Sequence, residues 1–142
     1  MHLKVKRIRQ GAKLPIKATE GSICYDVFSA AYKILLSTME KAKIPTGLAF
    51  ELPPGMGLEI RPRSSLADKG LIILNSPGTL DSDYRGELFI ICQNLSIGNI
   101  LINMGDRIAQ IRLIRSMDIE FEEVEELSRT ERGEGGFGST GR

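Results

Sequence analysis

The chemistry this sequence can do concentrates in a few short stretches. Gly78-Thr79-Leu80-Asp81-Ser82-Asp83-Tyr84-Arg85-Gly86-Glu87 lies between two strand-like runs, as a hairpin-like excursion would. Asp81 and Asp83 are two residues apart, so in extended chain they share a face. Such carboxylates either hold Mg2+ or divide into a general base and a spectator. Asp, Ser and Gly also make ordinary turns, but Tyr84 is unexpected in one. Arg61-Pro62-Arg63-Ser64-Ser65 leads into Leu66-Ala67-Asp68-Lys69-Gly70, the pattern of one short helix with Ser64 or Ser65 as N-cap and Gly70 as terminator. Helix-end amides with an Arg fork suit phosphate; a capped turn with surface arginines is the plainer reading. Arg132-Gly133-Glu134-Gly135-Gly136-Phe137-Gly138-Ser139-Thr140-Gly141 exposes amides, two hydroxyls, a guanidinium and one aromatic ring that can stack on a base. It lacks the Gly-Lys-Ser/Thr of a Walker loop, and a disordered terminus has the same composition. Gln110, in Gly105-Asp106-Arg107-Ile108-Ala109-Gln110, can donate to phosphate. Asp26, in an apolar strand-like run, is costly to bury unless paired, so it is either salt-bridged or tied to a cation site.

Composition narrows the chemistry. A chain of 142 residues is one domain, long enough to bury a core without disulfides. Lys and Arg total 19 and Asp and Glu 18, a net charge of +1 that argues against a dedicated nucleic-acid binder. With one His, at position 2, and two Cys, a Ser-His-Asp triad and a Cys/His zinc cage are effectively excluded. Catalysis rests on carboxylates, hydroxyls, Arg, Lys, backbone amides or an oxygen-bound metal. No apolar stretch approaches the ~18 residues of a membrane span. The basic N-terminal stretch does not run into an apolar segment, as a secretory signal would. Cys24 and Cys92 read as buried, reduced thiols, and the cytoplasm is the expected compartment. Basic residues crowd positions 3–17 and acidic ones 118–126; solvated faces or their mutual pairing are the favoured reading of both runs, over a partner-binding patch.

The elements that must position these groups are mostly strands. Short apolar or alternating runs occur at 3–6, 23–29, 43–52, 58–61, 71–74, 88–92, 100–103 and 107–114, separated by turn residues such as Pro53-Pro54-Gly55, Asn75-Ser76-Pro77-Gly78 and Gly105-Asp106. Many short strands at even spacing predict an all-β sandwich or barrel. The last eleven residues carry five glycines and form no packed element alone.

Taken together, the motifs resemble those of the homotrimeric dUTPases, the deoxyuridine triphosphate nucleotidohydrolases. Five appear in family order: Cys24-Tyr25-Asp26-Val27-Phe28-Ser29-Ala30, Pro62-Arg63-Ser64-Ser65-Leu66-Ala67, the stretch from Gly78 to Gly86, Gly105 to Gln110, and the tail from Arg132 to Gly141. The resemblance spans nearly the whole chain; Cys24 stands where Gly or Ala is usual, and Ser65 where Gly is frequent. It implies a jelly-roll β domain over 1–131 and a flexible lid over 132–142 that completes a neighbouring subunit's site in a homotrimer. It further implies Mg2+-dependent hydrolysis of dUTP to dUMP and pyrophosphate, which limits uracil in DNA and supplies dUMP for dTMP synthesis. By resemblance, Asp81 activates the attacking water and Tyr84 packs on the deoxyribose. A strand pair around Thr79, Leu80 and Phe89 reads uracil, with Asn75 in support. Arg63, Ser64, Ser65 and Gln110 hold phosphates, and Asp26 orients water on Mg2+. Arg132, Gly138, Ser139 and Thr140 close on the terminal phosphates, with Phe137 over uracil.

Two other readings compete. The dCTP deaminases share the fold and the Arg-Ser-Ser-Leu-Ala stretch, but place a catalytic Glu about three residues before an Asn in the strand after the excursion. Here Ile91 precedes Asn94 at that spacing. A non-catalytic regulatory module would lose Asp81, Tyr84 or the tail, and all are present.

Overall fold

The computed structural model describes residues 2–136. Among them the chain forms β1 (Lys4–Arg7), β2 (Tyr25–Phe28), β3 (Lys33–Leu36), β4 (Lys41–Glu51), β5 (Met56–Arg61), α1 (Ser64–Ala67), β6 (Leu71–Ile73), β7 (Gly78–Leu80), β8 (Glu87–Asn94), β9 (Ile100–Asn103) and β10 (Arg107–Arg115). Two four-stranded sheets have the orders β1-β4-β8-β6 and β2-β10-β5-β7, and β3 pairs with β9 alone. All the pairings are antiparallel. This is the all-β architecture that the strand spacing predicted, in the jelly-roll form that the resemblance implied.

Alternation makes the core. Along β8, Leu88, Ile90, Cys92 and Asn94 are buried while Glu87, Phe89, Ile91 and Gln93 are partly open. Ile44 and Leu48 of β4 join them in one cluster with Leu58 and Ile60 of β5, Val27 of β2, and Ile108 and Ile111 of β10. Each such side chain contributes about 1.5–3 kcal/mol when fully buried. Asn94 is the polar exception, wholly buried. Its Nδ2 donates to the Leu36 and Gly98 carbonyls at 2.9 and 2.7 Å, and its Oδ1 accepts from the Ser96 amide at 2.8 Å.

Four local expectations change. Lys33–Leu36 is a strand although its sequence, Lys-Ile-Leu-Leu, does not alternate; pairing with β9 sends Leu36 inward and Leu35 outward. The helix is shorter than the run to Gly70, and its N-cap is Arg63, with no side-chain cap bond, so the Ser64 and Ser65 hydroxyls do not serve as caps. Gly70 does take the left-handed conformation, at φ +88°. Gly78 to Glu87 is no hairpin, because β7 pairs with β5 and β8 pairs with β4 and β6, in the other sheet. Residues 116–136 hold no helix or strand, and no helix of the described residues is long and apolar enough to cross a membrane.

The two thiols differ. Cys92 is buried and Cys24 only half-buried, and both are free. Burial pushes the Cys92 thiol from its ordinary 9.0 up to about 12. Native protein is therefore expected to take up one equivalent of a thiol reagent at pH 8, at Cys24, and two in denaturant. Because the unfolded thiol ionises first, the Cys92 contribution to stability is complete below pH 9 and declines as pH rises towards 12. A cysteine count by mass spectrometry and alkaline denaturation of wild type against Cys92→Ala check both points.

Candidate active site

The passage from one sheet to the other builds a pocket. β7 is the edge strand of its sheet, so its backbone groups that point away from β5 have no ladder partner among the described residues. Beyond Leu80 the chain turns, with the Tyr84 amide donating to the Asp81 carbonyl at 3.3 Å, and re-enters as β8. The resulting cavity of about 240 Å³ is lined by Asn75, Thr79, Leu80, Asp81, Tyr84 and Phe89, together with Lys43, Ile60, Glu87 and Leu88. Six residues nominated from the sequence thus meet in one place. Thr79, Leu80 and Phe89 do so without forming a strand pair, since they belong to different sheets.

Within the pocket Asp81 is exposed, and among the described residues its carboxylate has no hydrogen-bond or ion-pair partner. It is thereby available as a proton acceptor. Asp83 does not share its face: the turn sends Asp83 into a separate hollow with His2, Lys4, Ser82 and Arg85. The paired-carboxylate reading therefore gives way to a single carboxylate at the pocket, because two turn residues do not keep strand alternation. Tyr84 is held at its hydroxyl end. Its hydroxyl donates to the Glu87 carbonyl at 3.2 Å, and its ring lies so close to Gly86 that a Cβ there would come within 2.3 Å of the phenolic oxygen.

A second cluster forms where β2, β10 and the end of β5 meet. Gln110 pairs with Asp26 on one side and Arg61 on the other, placing all three on one face. Asp26 is buried at 8% exposure. Its Oδ1 accepts from Arg63 Nε at 3.1 Å and its Oδ2 from Arg107 Nη1 at 3.0 Å. Arg63 also donates to the Arg107 carbonyl at 3.3 Å, and Gln110 Nε2 to the Pro62 carbonyl at 2.8 Å. Ser64 and Ser65, both exposed, open the helix directly after Arg63. Two guanidiniums against one carboxylate leave net positive charge, and the first amides of a helix have no intrahelical partner. The set is suited to a phosphate chain. Of the two readings open for Asp26, the salt-bridged one is realised in the chain.

The pocket lining includes none of Asp26, Arg63, Ser64, Ser65 and Gln110. One chain therefore presents an unpaired carboxylate in a ring-sized pocket and, separately, a cationic cluster. The dUTPase family profile matches residues 10–141. The chain belongs to the dUTPase family. A deoxyuridine 5'-triphosphate nucleotidohydrolase of Hydrogenobaculum sp. is 46% identical over 142 residues, 99% of each chain. The enzyme of that name from Fusobacterium nucleatum is 49% identical over 143 residues, 99% of this chain and 98% of its own. Among solved structures, a Staphylococcus bacteriophage 80alpha dUTPase variant with dUpNHpp superposes with a TM-score of 0.90 at 30% identity, covering 99% of both chains. A dUTPase of phage phi11 of S. aureus, described as coordinating a structural Mg(II) ion, superposes at 0.82 with 27% identity, covering 91% of this chain and all of its own.

Of the tail residues nominated from the sequence, Arg132 is exposed and its Nε donates to the Gly135 carbonyl at 2.9 Å, closing a local turn. Phe137, Gly138, Ser139 and Thr140 lie outside the described residues. Sequence reasoning missed Arg107, Lys43 and Glu87. Arg107 and Glu87 sat in stretches already singled out, Arg107 three residues before Gln110 and Glu87 at the end of the run from Gly78; Lys43 carried no signal before the β4–β8 register was known. Lys43 Nζ lies 5.1 Å from the centre of the Phe89 ring. The Glu87 carboxylate lines the pocket but accepts from Arg9 and from the Gly47 amide. Ile91 stands three residues before Asn94, where deamination requires an acid; Glu87, which the sequence suggested lies in the turn, is instead the first residue of β8, and its carboxylate is tied to Arg9 and Gly47.

Proposed function

We propose that this chain, by its family a dUTP diphosphatase, cleaves dUTP to dUMP and pyrophosphate through attack of water on the α-phosphorus, with Asp81 as the general base. The observation that carries the reading is the Asp81 carboxylate, without a partner among the described residues, in the same pocket as Tyr84, Asn75 and the β7 edge, which no described strand pairs. The free amides and carbonyls of β7 read the uracil edge, with Asn75 in support and Phe89 against the ring. Tyr84, pinned to the Glu87 carbonyl, packs on the sugar where a 2′-hydroxyl would collide. Arg63, Ser64, Ser65 and Gln110 take the phosphates, and the positive excess around Asp26 offsets their charge. Phosphoryl chemistry is largely positioning and charge neutralisation, so one base and several donors suffice without a histidine.

The donor set fits Mg2+ in one way. No group of three His, Cys, Asp or Glu among the described residues could cage an ion. A carboxylate whose two oxygens each accept one guanidinium N–H keeps lone pairs for a water. Mg2+ keeps several waters, so Asp26 would hold it through water, and the bound ion would supply neutralisation of the phosphate charge.

The assembled site is shared in a homotrimer. In support, the pocket and the cationic cluster are separate on one chain, and residues beyond β10 expose Met117, Ile119, Phe121 and Leu127, which one chain leaves in water. Residues 132–142 act as the lid of a neighbouring site. Free thiols and the balanced charge suit the cytoplasm, where the reaction keeps uracil out of DNA and supplies dUMP.

The test is incubation with each deoxynucleoside triphosphate and with UTP, with and without Mg2+, scoring pyrophosphate and the base of the product. Pyrophosphate with dUMP from dUTP, and little from the rest, is expected. Ammonia from dCTP, or equal turnover of all substrates, would overturn the reading.

A further inference from the structure

We infer that Arg9, which lies outside all five motifs and outside the pocket lining, is a positioning residue for recognition of the substrate's sugar. It acts through Glu87 on Tyr84, and the inference rests on the function proposed above.

The geometry forms a continuous chain of contacts. Arg9 Nε sits 2.8 Å from both Glu87 carboxylate oxygens. That carboxylate is only 7% exposed, and its Oε1 also accepts from the Gly47 amide at 2.9 Å. The carbonyl of Glu87 in turn accepts from the Tyr84 hydroxyl. Arg9 reaches the wall at a second point, its guanidinium lying 6.0 Å from the centre of the Phe89 ring. Glu87 and Phe89 are alternate residues of β8 and both line the pocket. One side chain therefore braces the two wall residues that flank the sugar and base positions.

The fold is shaped to keep that brace in place. The β4–β8 register breaks between Pro45 and Ala49, and Gly47 stands in this break at φ +69°. A bulge of this kind turns a backbone amide out of the ladder, and here it donates to Glu87. The carbonyl of the same residue accepts from the Ile8 amide at 2.8 Å, fixing the backbone just before Arg9. A Cβ on Gly47 would come within 2.6 Å of the Ala12 Cβ and 3.1 Å of the Arg9 Cβ, so the N-terminal segment is packed directly on the bulge. A carboxylate this enclosed needs its partners. Without the shared Nε–H of Arg9, Glu87 draws water and shifts, its carbonyl moves with it, and Tyr84 loses the acceptor that sets its ring height.

The experiment compares Arg9→Gln, Arg9→Lys, Tyr84→Phe and the double variant Arg9→Gln/Tyr84→Phe with wild type, on dUTP and on UTP. Loss of a charge-assisted bond at one remove is expected to lower the ratio of kcat/KM for dUTP over UTP about tenfold in Arg9→Gln. The loss falls on KM more than on kcat. Arg9→Lys, which keeps the charge without the planar guanidinium, gives a smaller loss of the same kind and serves if Arg9→Gln does not fold. Tyr84→Phe, which removes the hydroxyl anchor itself, lowers the ratio too. Adding Arg9→Gln to it changes the ratio no further. An Arg9 variant with the wild-type ratio, or the same drop repeated in the Tyr84→Phe background, overturns the inference while leaving dUTP hydrolysis standing. An unchanged ratio in Tyr84→Phe, which keeps the ring and loses only the hydroxyl, overturns the inference alone; a wild-type protein that does not prefer dUTP to UTP overturns the sugar-recognition reading before Arg9 is touched, and the inference with it.

Discussion

Asp81→Asn is expected to lower kcat on dUTP by about 10²–10⁴-fold, the range over which a general base contributes, while dUTP still binds. The carboxylate is exposed in its pocket and engages no other side chain among the described residues. Its loss therefore breaks no ion pair and leaves no buried group unsatisfied, so the variant should fold as well as wild type. Asn keeps the size and one carbonyl oxygen and removes only basicity. Pre-steady-state turnover, with calorimetric titration of a non-hydrolysable dUTP analogue, separates the two effects. Turnover within a factor of a few of wild type would remove Asp81 as the base. Asp83→Asn is the matched control, because that carboxylate faces the hollow with His2 and Lys4; a loss equal to that of Asp81→Asn would reassign the base.

Removing residues 132–142 is expected to cost roughly 10²-fold or more in turnover, the scale on which misplaced reacting groups are felt, with fold and assembly intact. Among the described residues the regular structure ends at Arg115, and the buried core cluster draws on nothing beyond Ile111. The deletion thus removes no packed element of the described residues. Five glycines in eleven residues make ordering expensive, at roughly 1–2 kcal/mol per residue. Contacts of Arg132, Ser139 and Thr140 with the triphosphate and of Phe137 with uracil are what offset that cost on closure, which excludes water from the site. Phe137→Ala should lose less than the full deletion, since the phosphate contacts survive. A subunit-mixing experiment adds the shared site: Asp81→Asn protein exchanged with truncated protein regains activity if base and lid come from different chains. Wild-type turnover by the truncated protein, or full activity in a species that sediments as a monomer, would refute the lid in the shared site.

How much of this was legible without coordinates depends on range along the chain. Asp81, Tyr84, Thr79, Leu80 and Asn75 stand within ten residues of one another, and local turn and strand chemistry brings such groups together once the chain leaves β7. Arg63 with Ser64 and Ser65 was legible for the same reason, as a turn feeding a helix. The strand periods carried the core too, since alternation over Glu87–Asn94 already divides inward from outward positions. Legibility failed where the answer lay across the chain. Lys33–Leu36 has no period of its own, and its faces are set by pairing with Ile100–Asn103. Asp81 and Asp83 were expected on one face because alternation was assumed; a turn between two sheets breaks it.

Residue type and short-range order determined by themselves an all-β chain, a chemistry without histidine or cysteine catalysis, and groups suited to phosphate; the hydrolysis was implied by the resemblance of the motifs to a family. The first three follow from propensities, charge and spacing, which act between near neighbours. Only the tertiary structure decided that Asp26 has both carboxylate oxygens tied to Arg63 and Arg107, the second of them 81 residues away. It also decided that β7 and β8 part into different sheets to open the pocket, and that Arg9 stands behind Glu87 across 78 residues. The physical reason is common to all three. A buried carboxylate or an open strand edge is costly until a partner meets it, and which partner does so is fixed by sheet register and packing, which no local pattern encodes.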